Sequence, residues 1–182
     1  MTQPAYSAAN PPSLSLVYLC LNEEEALPRT LTEAVTWCEA NLHDWEILVV
    51  DDGSTDASAA IIRDFSAKQP RVRLLQHATN RGMGAGLRTA IAASTKAYYC
   101  MLAADGQIGT AEVGKLFDLL REAPVVTSVY DNRKGPIRLF LSRGFRLYMR
   151  TLVGVDFALE GTYLFPVALA RDEIGLDNVG AD

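Results

Sequence analysis

Four short apolar runs, at residues 14–21, 45–50, 72–76 and 98–102, each break off into a polar cluster, and a stretch of helical periodicity follows every one. That alternation constrains the fold more than any other feature. Apolar runs of this length that lack inside–outside alternation are strands buried on both faces, and the intervening helices must supply the covering layers. The helical stretches set Leu27, Leu31, Ala34, Val35 and Cys38, then Ile61, Ile62 and Phe65, then Leu87, Ala90 and Ile91 on core-facing stripes. Pro28 fits only a first turn, and Glu23, Glu24 and Glu25 suit the positive end of the helix they precede. Thr110 is expected to cap a further helix carrying Val113, Leu116, Phe117 and Leu120, and a fifth strand is expected at 125–129. After residue 130 the pattern changes to a helix at 136–153 and a short strand at 162–165. The expected class is α/β, with a mostly parallel sheet and helices on both faces.

In such sheets ligands bind beyond the carboxyl ends of the strands. The clusters Asn22-Glu23, Asp51-Asp52, Asn80-Arg81 and Asp105-Gly106-Gln107 all fall at those ends and converge on one crevice. A carboxylate at a strand end can accept hydrogen bonds from a nucleobase N–H or from ribose hydroxyls. Gly53 lets the chain turn sharply after Asp52, and Ser54 or Thr55 can cap the helix that follows. Asp105 and the carbonyl of Gln107 are oxygen donors two residues apart, as a divalent cation on a diphosphate requires. Taken singly, the cluster at 51–56 reads equally well as a capped turn, and that at 105–107 as a turn.

The 182 residues are 49% hydrophobic and 21% charged with a net charge of −5, which offers no basic face for nucleic acid. Cys20, Cys38 and Cys100 sit in apolar runs without CxxC spacing and read as small buried hydrophobes of a reducing compartment. Residues 1–12 lack the charged-then-apolar order of a signal peptide, and no apolar stretch approaches the length of a membrane span. These features lead to an expectation of a cytoplasmic protein, or one on the cytoplasmic side of a membrane. His43 and His77 have no metal-ligand spacing and no obvious partner, and Trp37 and Tyr98 read as core or half-buried aromatics.

The segments Asn22-Glu23-Glu24-Glu25, Val49 to Asp56, Asn80-Arg81-Gly82 with Gly84 and Ala85, and Ala104-Asp105-Gly106-Gln107 occur in an order and spacing that resembles family 2 glycosyltransferases. Within them the chain is most similar to dolichyl- and polyprenyl-phosphate sugar synthases, over roughly residues 14–166. The resemblance implies a GT-A (Rossmann-like) fold, a UDP- or GDP-sugar donor, a divalent metal (Mg or Mn) and inversion at the anomeric carbon. The polar, Pro-rich start is expected to be a flexible segment at 1–13, and the resemblance implies a single domain at 14–182, nucleotide-binding over 14–130 and partly acceptor-side over 131–182. Relatives of this kind continue further, so the resemblance also implies C-terminal shortening.

By the same resemblance Glu23 lies near base and ribose, Asp52 with Asp51 holds the nucleoside, and Arg81 shapes the nucleotide pocket. Asp105 matches the last aspartate of the Asp-x-Asp motif, serving nucleotide and metal, and Gln107 matches its accompanying glutamine. Two departures stand out. Ala103 occupies the first position of that motif, and Leu19-Cys20-Leu21 replaces a Pro-Ala-Tyr that would bring an aromatic to the base.

Distally, Arg133, Lys134, Arg138, Arg143, Arg146 and Arg150 concentrate positive charge in an acidic chain, with Arg143, Arg146 and Arg150 on one helical face. They are either a solvated cationic face or a basic amphipathic helix meeting a lipid phosphate at a membrane surface, with Arg133, Arg143 and Arg146 on the acceptor. The resemblance favours the second and implies polyprenyl phosphate as acceptor, peripheral to the cytoplasmic membrane face. Asp156 and Glu160 are candidates for a general base, needed for a hydroxyl acceptor and not for a phosphate. A sheet edge or the basic helix could support a homodimer. Two other functions compete: a degenerate relative that binds nucleotide or a partner without catalysis, and a nucleotidyltransferase. The latter lacks support, since no Gly-rich basic phosphate loop follows the first strand.

Overall fold

A computed structural model of the chain describes residues 12–120, 123, 125–128 and 162–173. The elements run β1 (Leu14–Cys20), α1 (Leu27–Asn41), β2 (Trp45–Asp51), α2 (Ser58–Lys68), β3 (Val72–Gln76), α3 (Met83–Ala93), β4 (Tyr98–Ala103), α4 (Ala111–Leu119), β5 (Val126–Thr127), β6 (Tyr163–Pro166) and α5 (Val167–Glu173). The expected helix at 136–153, the basic residues from 133 to 150, and Asp156 and Glu160 lie outside the described residues, as do residues 1–11. Two compact units emerge, one formed by Met1–Val126 with Tyr163–Asp182 and the other by Thr127–Thr162. In the second, the described portion is a pair of strand ends where the Ser128 N–H donates to the Thr162 carbonyl at 2.9 Å.

Among the described residues the sheet order is β3-β2-β1-β4-β6-β5. β1 pairs in parallel with both β2 and β4, and β2 pairs in parallel with β3. The expected parallel α/β core is therefore present. Every residue of β2 is buried, which is why its sequence shows no alternation. Alternation survives only in which layer each side chain meets. Leu14, Leu16, Tyr18 and Cys20 pack with Leu27, Leu31, Ala34 and Cys38 of α1, Ile62 of α2, and Val113, Leu116 and Phe117 of α4. Val17, Leu48, Val50 and Tyr99 face the opposite way onto Ala90 and Ile91 of α3 and Val167 of α5. Each such aliphatic side chain contributes about 1.5–3 kcal/mol on burial. All three cysteines belong to this interior, and burial pushes the Cys20 thiol up to about 11 and Cys38 to about 12.

Two expectations need correction. The fifth strand is only Val126–Thr127, and it does not continue the parallel sheet beside β4. That place is taken by β6, which runs antiparallel to β4 with Cys100 opposite Leu164 and Tyr99 opposite Phe165. Tyr99 and Phe165 stack there, 5.0 Å apart. Propensity identifies strands but carries no order, so pairing across more than sixty residues is invisible to it. Thr110 precedes α4 with helical dihedrals and makes no side-chain capping bond.

At the amino ends of the strands a buried carboxylate ties the layers together. Glu46 accepts from the Ser15 hydroxyl (2.7 Å), the Thr95 N–H (2.5 Å) and hydroxyl (2.9 Å), and the Arg73 guanidinium (3.0 Å). Burial by itself raises its pKa; these four donors outweigh burial and hold the carboxyl below the ordinary glutamate range. Its contribution to stability is thus complete above the unfolded-state value and is lost as pH falls through the lower folded one. Glu46→Gln is expected to cost about 1–3 kcal/mol near neutral pH. In denaturant titrations the two proteins should converge from about pH 5 downward. Parallel curves across that range would show that the Glu46 charge does not stabilise the fold.

Candidate functional site

At the carboxyl ends of the strands the loops after β1 and β2 are stitched to each other. Asn22 adopts the left-handed region, φ +56°, which asparagine tolerates better than other non-glycine residues and which its bonds here hold in place. Its N–H donates to the Ser54 hydroxyl at 2.9 Å, and its side-chain oxygen accepts the Thr55 N–H at 2.8 Å. The Glu23 N–H donates to Ser58 Oγ (2.9 Å) and the Glu24 N–H to Asp56 Oδ2 (3.1 Å). In return the Glu24 carboxylate accepts the Ala57 N–H at 2.8 Å. Glu24 therefore serves the start of α2 and not of α1, which begins only at Leu27. The cap of α2 is likewise not Ser54 or Thr55. Asp56 accepts the Ser58 N–H at 2.9 Å, while Ser54 and Thr55 are committed to Asn22.

Asp51 is fully buried. Its oxygens accept the Ser54 N–H (3.0 Å) and the Gln76 amide (3.1 Å), bracing β2 against β3. Asp52 lies one residue beyond and serves a third loop. Its Oδ1 accepts the Arg81 N–H at 2.9 Å and faces His77 Nδ1 at 2.6 Å, and its Oδ2 accepts the Gly82 N–H at 2.8 Å. Burial favours its neutral form, but the His77 ring and the two amides outweigh it and hold the carboxyl below the ordinary aspartate range. Oδ2 retains lone-pair capacity towards a ligand. Gly53 makes this geometry possible. At φ +81° its missing Cβ would stand 2.5 Å from the Thr79 carbonyl carbon and 2.6 Å from the Asn80 nitrogen.

Two clefts open on this arrangement. One, of about 260 Å³, is lined by Leu19, Cys20, Leu21, Glu23, Asp52, Asn80, Gly82, Met83 and Gly86. Its walls are apolar, with Leu21 and Met83 exposed at the mouth, and its polar groups are few. The other, of about 400 Å³, is acidic, with Glu23, Glu24, Glu25, Asp56 and Asp105 around it. Glu23, half-buried, borders both. Strand order reverses between β1 and β4, so these openings lie where an open parallel sheet offers a crevice. Arg81 is exposed, its position fixed through its backbone, between the lining residues Asn80 and Gly82.

Asp105 stands half-buried in the turn after β4, its Oδ1 accepting the Gln107 N–H at 2.9 Å. Ala103, the last residue of β4, is exposed. A hard divalent cation takes oxygen ligands, and magnesium commonly combines one or two carboxylates with substrate phosphates and water. Among the described residues no three acidic, histidine or cysteine side chains form a ready cage. Asp105, with one oxygen engaged by the Gln107 N–H and the other without a partner among the described residues, is of the donor type that such a cation takes.

Of the expected site residues, the structure sets Glu23, Asp52 and Asp105 along the two clefts; Asp51 is buried and lines neither, and Arg81 stands between the lining residues Asn80 and Gly82 without lining either cleft itself. His77, which spacing left without a partner, proves to be buried between Asp52 and Thr89. Its signal was register: Gln76 pairs with Asp51, so the next residue of each strand meets beside Asp52. Gly53→Ala is expected to lower stability by about 1–3 kcal/mol and to release the Arg81 and Gly82 amides. Thermal unfolding and amide exchange measure both; unchanged values would mean that the close approach of the two loops is not maintained in solution.

The sequence model of glycosyl transferase family 2 matches residues 15–173. The chain is 30% identical over 155 residues to a dolichyl-phosphate beta-glucosyltransferase of Trichomonas vaginalis, covering 77% of this chain and 47% of that protein. It is 31% identical over 153 residues to an undecaprenyl-phosphate 4-deoxy-4-formamido-L-arabinose transferase of an Enterobacter species, covering 82% and 46%. The chain thus spans about half the length of these curated relatives. Among solved structures it is similar to a mannosyltransferase of Pyrobaculum calidifontis in complex with GDP-Man and Mn2+, with TM-score 0.65, 17% identity, and 94% and 49% of the two chains covered. It is also similar to the glucosyl-3-phosphoglycerate synthase of Mycobacterium tuberculosis in complex with Mn2+, UDP-glucose and phosphoglyceric acid. There the TM-score is 0.62 with 19% identity, covering 92% and 64%. The fold is GT-A.

Proposed function

The chain belongs to glycosyl transferase family 2, and from that premise we propose that it binds the donor of a sugar transfer from a UDP- or GDP-sugar to a polyprenyl phosphate. The observation that carries the reading is the pair of adjoining clefts at the strand-order reversal, one apolar and one acidic, sharing Glu23. The apolar cleft suits a nucleoside. Leu19, Leu21 and Met83 offer flat apolar surface to a base, and Glu23 and Asp52 offer acceptors to base N–H groups or ribose hydroxyls. The diphosphate then runs towards Asp105, with Arg81 between the lining residues Asn80 and Gly82.

An acidic cleft repels a diphosphate unless a cation intervenes. A divalent ion between Asp105, Gln107 and the phosphates would neutralise the leaving group as its charge develops. The acceptor oxygen displaces the nucleoside diphosphate directly, which inverts the anomeric carbon. A phosphate acceptor is already anionic and requires no protein base, so neither Asp156 nor Glu160 is needed in that role. The relatives' names support a lipid-linked phosphate as acceptor, which would bring the protein to a membrane surface, and Arg133, Arg143 and Arg146 are the basic residues proposed to contact that phosphate. No helix among the described residues is long and apolar enough to cross a membrane.

Calorimetric titration of UDP and GDP, with and without manganese, tests this on the wild type and Asp105→Ala. One nucleotide should bind in a metal-dependent manner, and the substitution should weaken it on the order of tenfold or more. Binding that ignores both metal and Asp105 would overturn the donor-site assignment. Metal-dependent binding without turnover on polyprenyl phosphate would mark a binding-only relative.

A further inference from the structure

We propose that His77 is a positioning residue for the cleft: its Nδ1–H holds the Asp52 carboxylate in the one orientation that gathers the Arg81 and Gly82 amides. This rests on the reading of that cleft as the nucleoside site. The ring is almost fully buried at 7% exposure, and both of its nitrogens are engaged. Nδ1 lies 2.6 Å from Asp52 Oδ1, and Nε2 lies 2.9 Å from the Thr89 hydroxyl on α3. A carboxylate can only accept, so Nδ1 carries the hydrogen, and in the neutral ring Nε2 accepts from Thr89. The His77 backbone is pinned as well, its N–H donating to the Asp51 carbonyl at 2.9 Å.

Asp52 passes this order on. Two consecutive amides, Arg81 and Gly82, point at its two oxygens at 2.9 and 2.8 Å. Between them the chain reaches Gly82 at φ +83° and turns into α3 at Met83. Asn80, Gly82 and Met83 form one wall of the cleft, and Asp52 itself belongs to its floor. Without the ring, Asp52 is held by the Arg81 and Gly82 amides alone, and the Gly82 N–H is shared with Asn80 Oδ1 at 2.9 Å, so the charge-assisted bonds that fix this wall would weaken. His77 also bonds through Thr89 to the helix that begins at the same wall, so ring, carboxylate and loop move together or not at all.

Asparagine and glutamine divide the two roles of the ring. The side-chain nitrogen of His77→Asn falls near Nδ1 and can still donate to Asp52, whereas that of His77→Gln falls near Nε2 and cannot. In the ligand-free protein, exchange of the Arg81 and Gly82 amides should accelerate at least about tenfold in His77→Gln and stay within about threefold of wild type in His77→Asn. Affinity for whichever of UDP or GDP the wild type binds should follow the same order, falling on the order of tenfold in His77→Gln and recovering in His77→Asn. Equal protection in both variants, equal loss in both, or lost protection with unchanged nucleotide affinity would each overturn the proposal. If the wild type binds neither nucleotide, the donor-site reading falls, and amide exchange still decides whether His77 holds the loop. Should the variants not fold, ring 15N shifts of the wild type give the answer: Nδ1 must be protonated, and an unprotonated Nδ1 sinks the idea.

Discussion

The carboxyl edge of the sheet depends on where Asp52 sits. Its backbone N–H still belongs to the ladder, donating to the Cys20 carbonyl of β1 at 2.9 Å, while its side chain already belongs to the loop before α3. One residue thus joins strand, loop and helix. A buried carboxylate without donors would be costly, and this one is affordable only because a histidine and two amides converge on it. The same donors hold it ionised, so a negative charge is fixed at the floor of a mostly apolar cleft.

The strand-end polar residues divide by task, and the division follows from hydrogen-bond capacity. Asn22, Glu24, Asp51, Ser54, Asp56 and Ser58 bond to one another's loops and are spent on structure. They explain how two loops with a left-handed asparagine and a positive-φ glycine are held in one shape. Glu23 and Asp105 line the openings with side-chain capacity to spare, and Arg81 is exposed beside Asn80 and Gly82. A similar economy governs the other end of the sheet, where Glu46 satisfies four donors around the starts of β1, β3 and the loop before β4. Arg171 of α5 closes that side by donating to the Ala92 and Ser94 carbonyls at the end of α3, where carbonyls without a helical partner attract a cation.

Much of this was legible in the residues. The apolar runs marked β1 to β4, the helical stripes named Leu27, Leu31, Ala34, Cys38, Ile62, Ala90 and Ile91 as core, and the polar clusters fell at the carboxyl ends. Illegible were the partners. Ser54 and Thr55 had good capping chemistry and bond to Asn22 instead, a partner more than thirty residues away in sequence. His77 had no neighbour in sequence that could explain it.

The sequence by itself determined which segments are strands and helices and which face of each is apolar, because period and side-chain chemistry are local properties. It also determined that acidic and amide residues meet at one edge, since parallel strands all end on the same side. Only the tertiary structure decided that β6 enters beside β4, that Asp51 braces while Asp52 organises a distant loop, and that His77 lies between Asp52 and Thr89. Those outcomes depend on register and on close approach between loops that sequence separation leaves unconstrained, and a hydrogen bond is decided within a few tenths of an ångström.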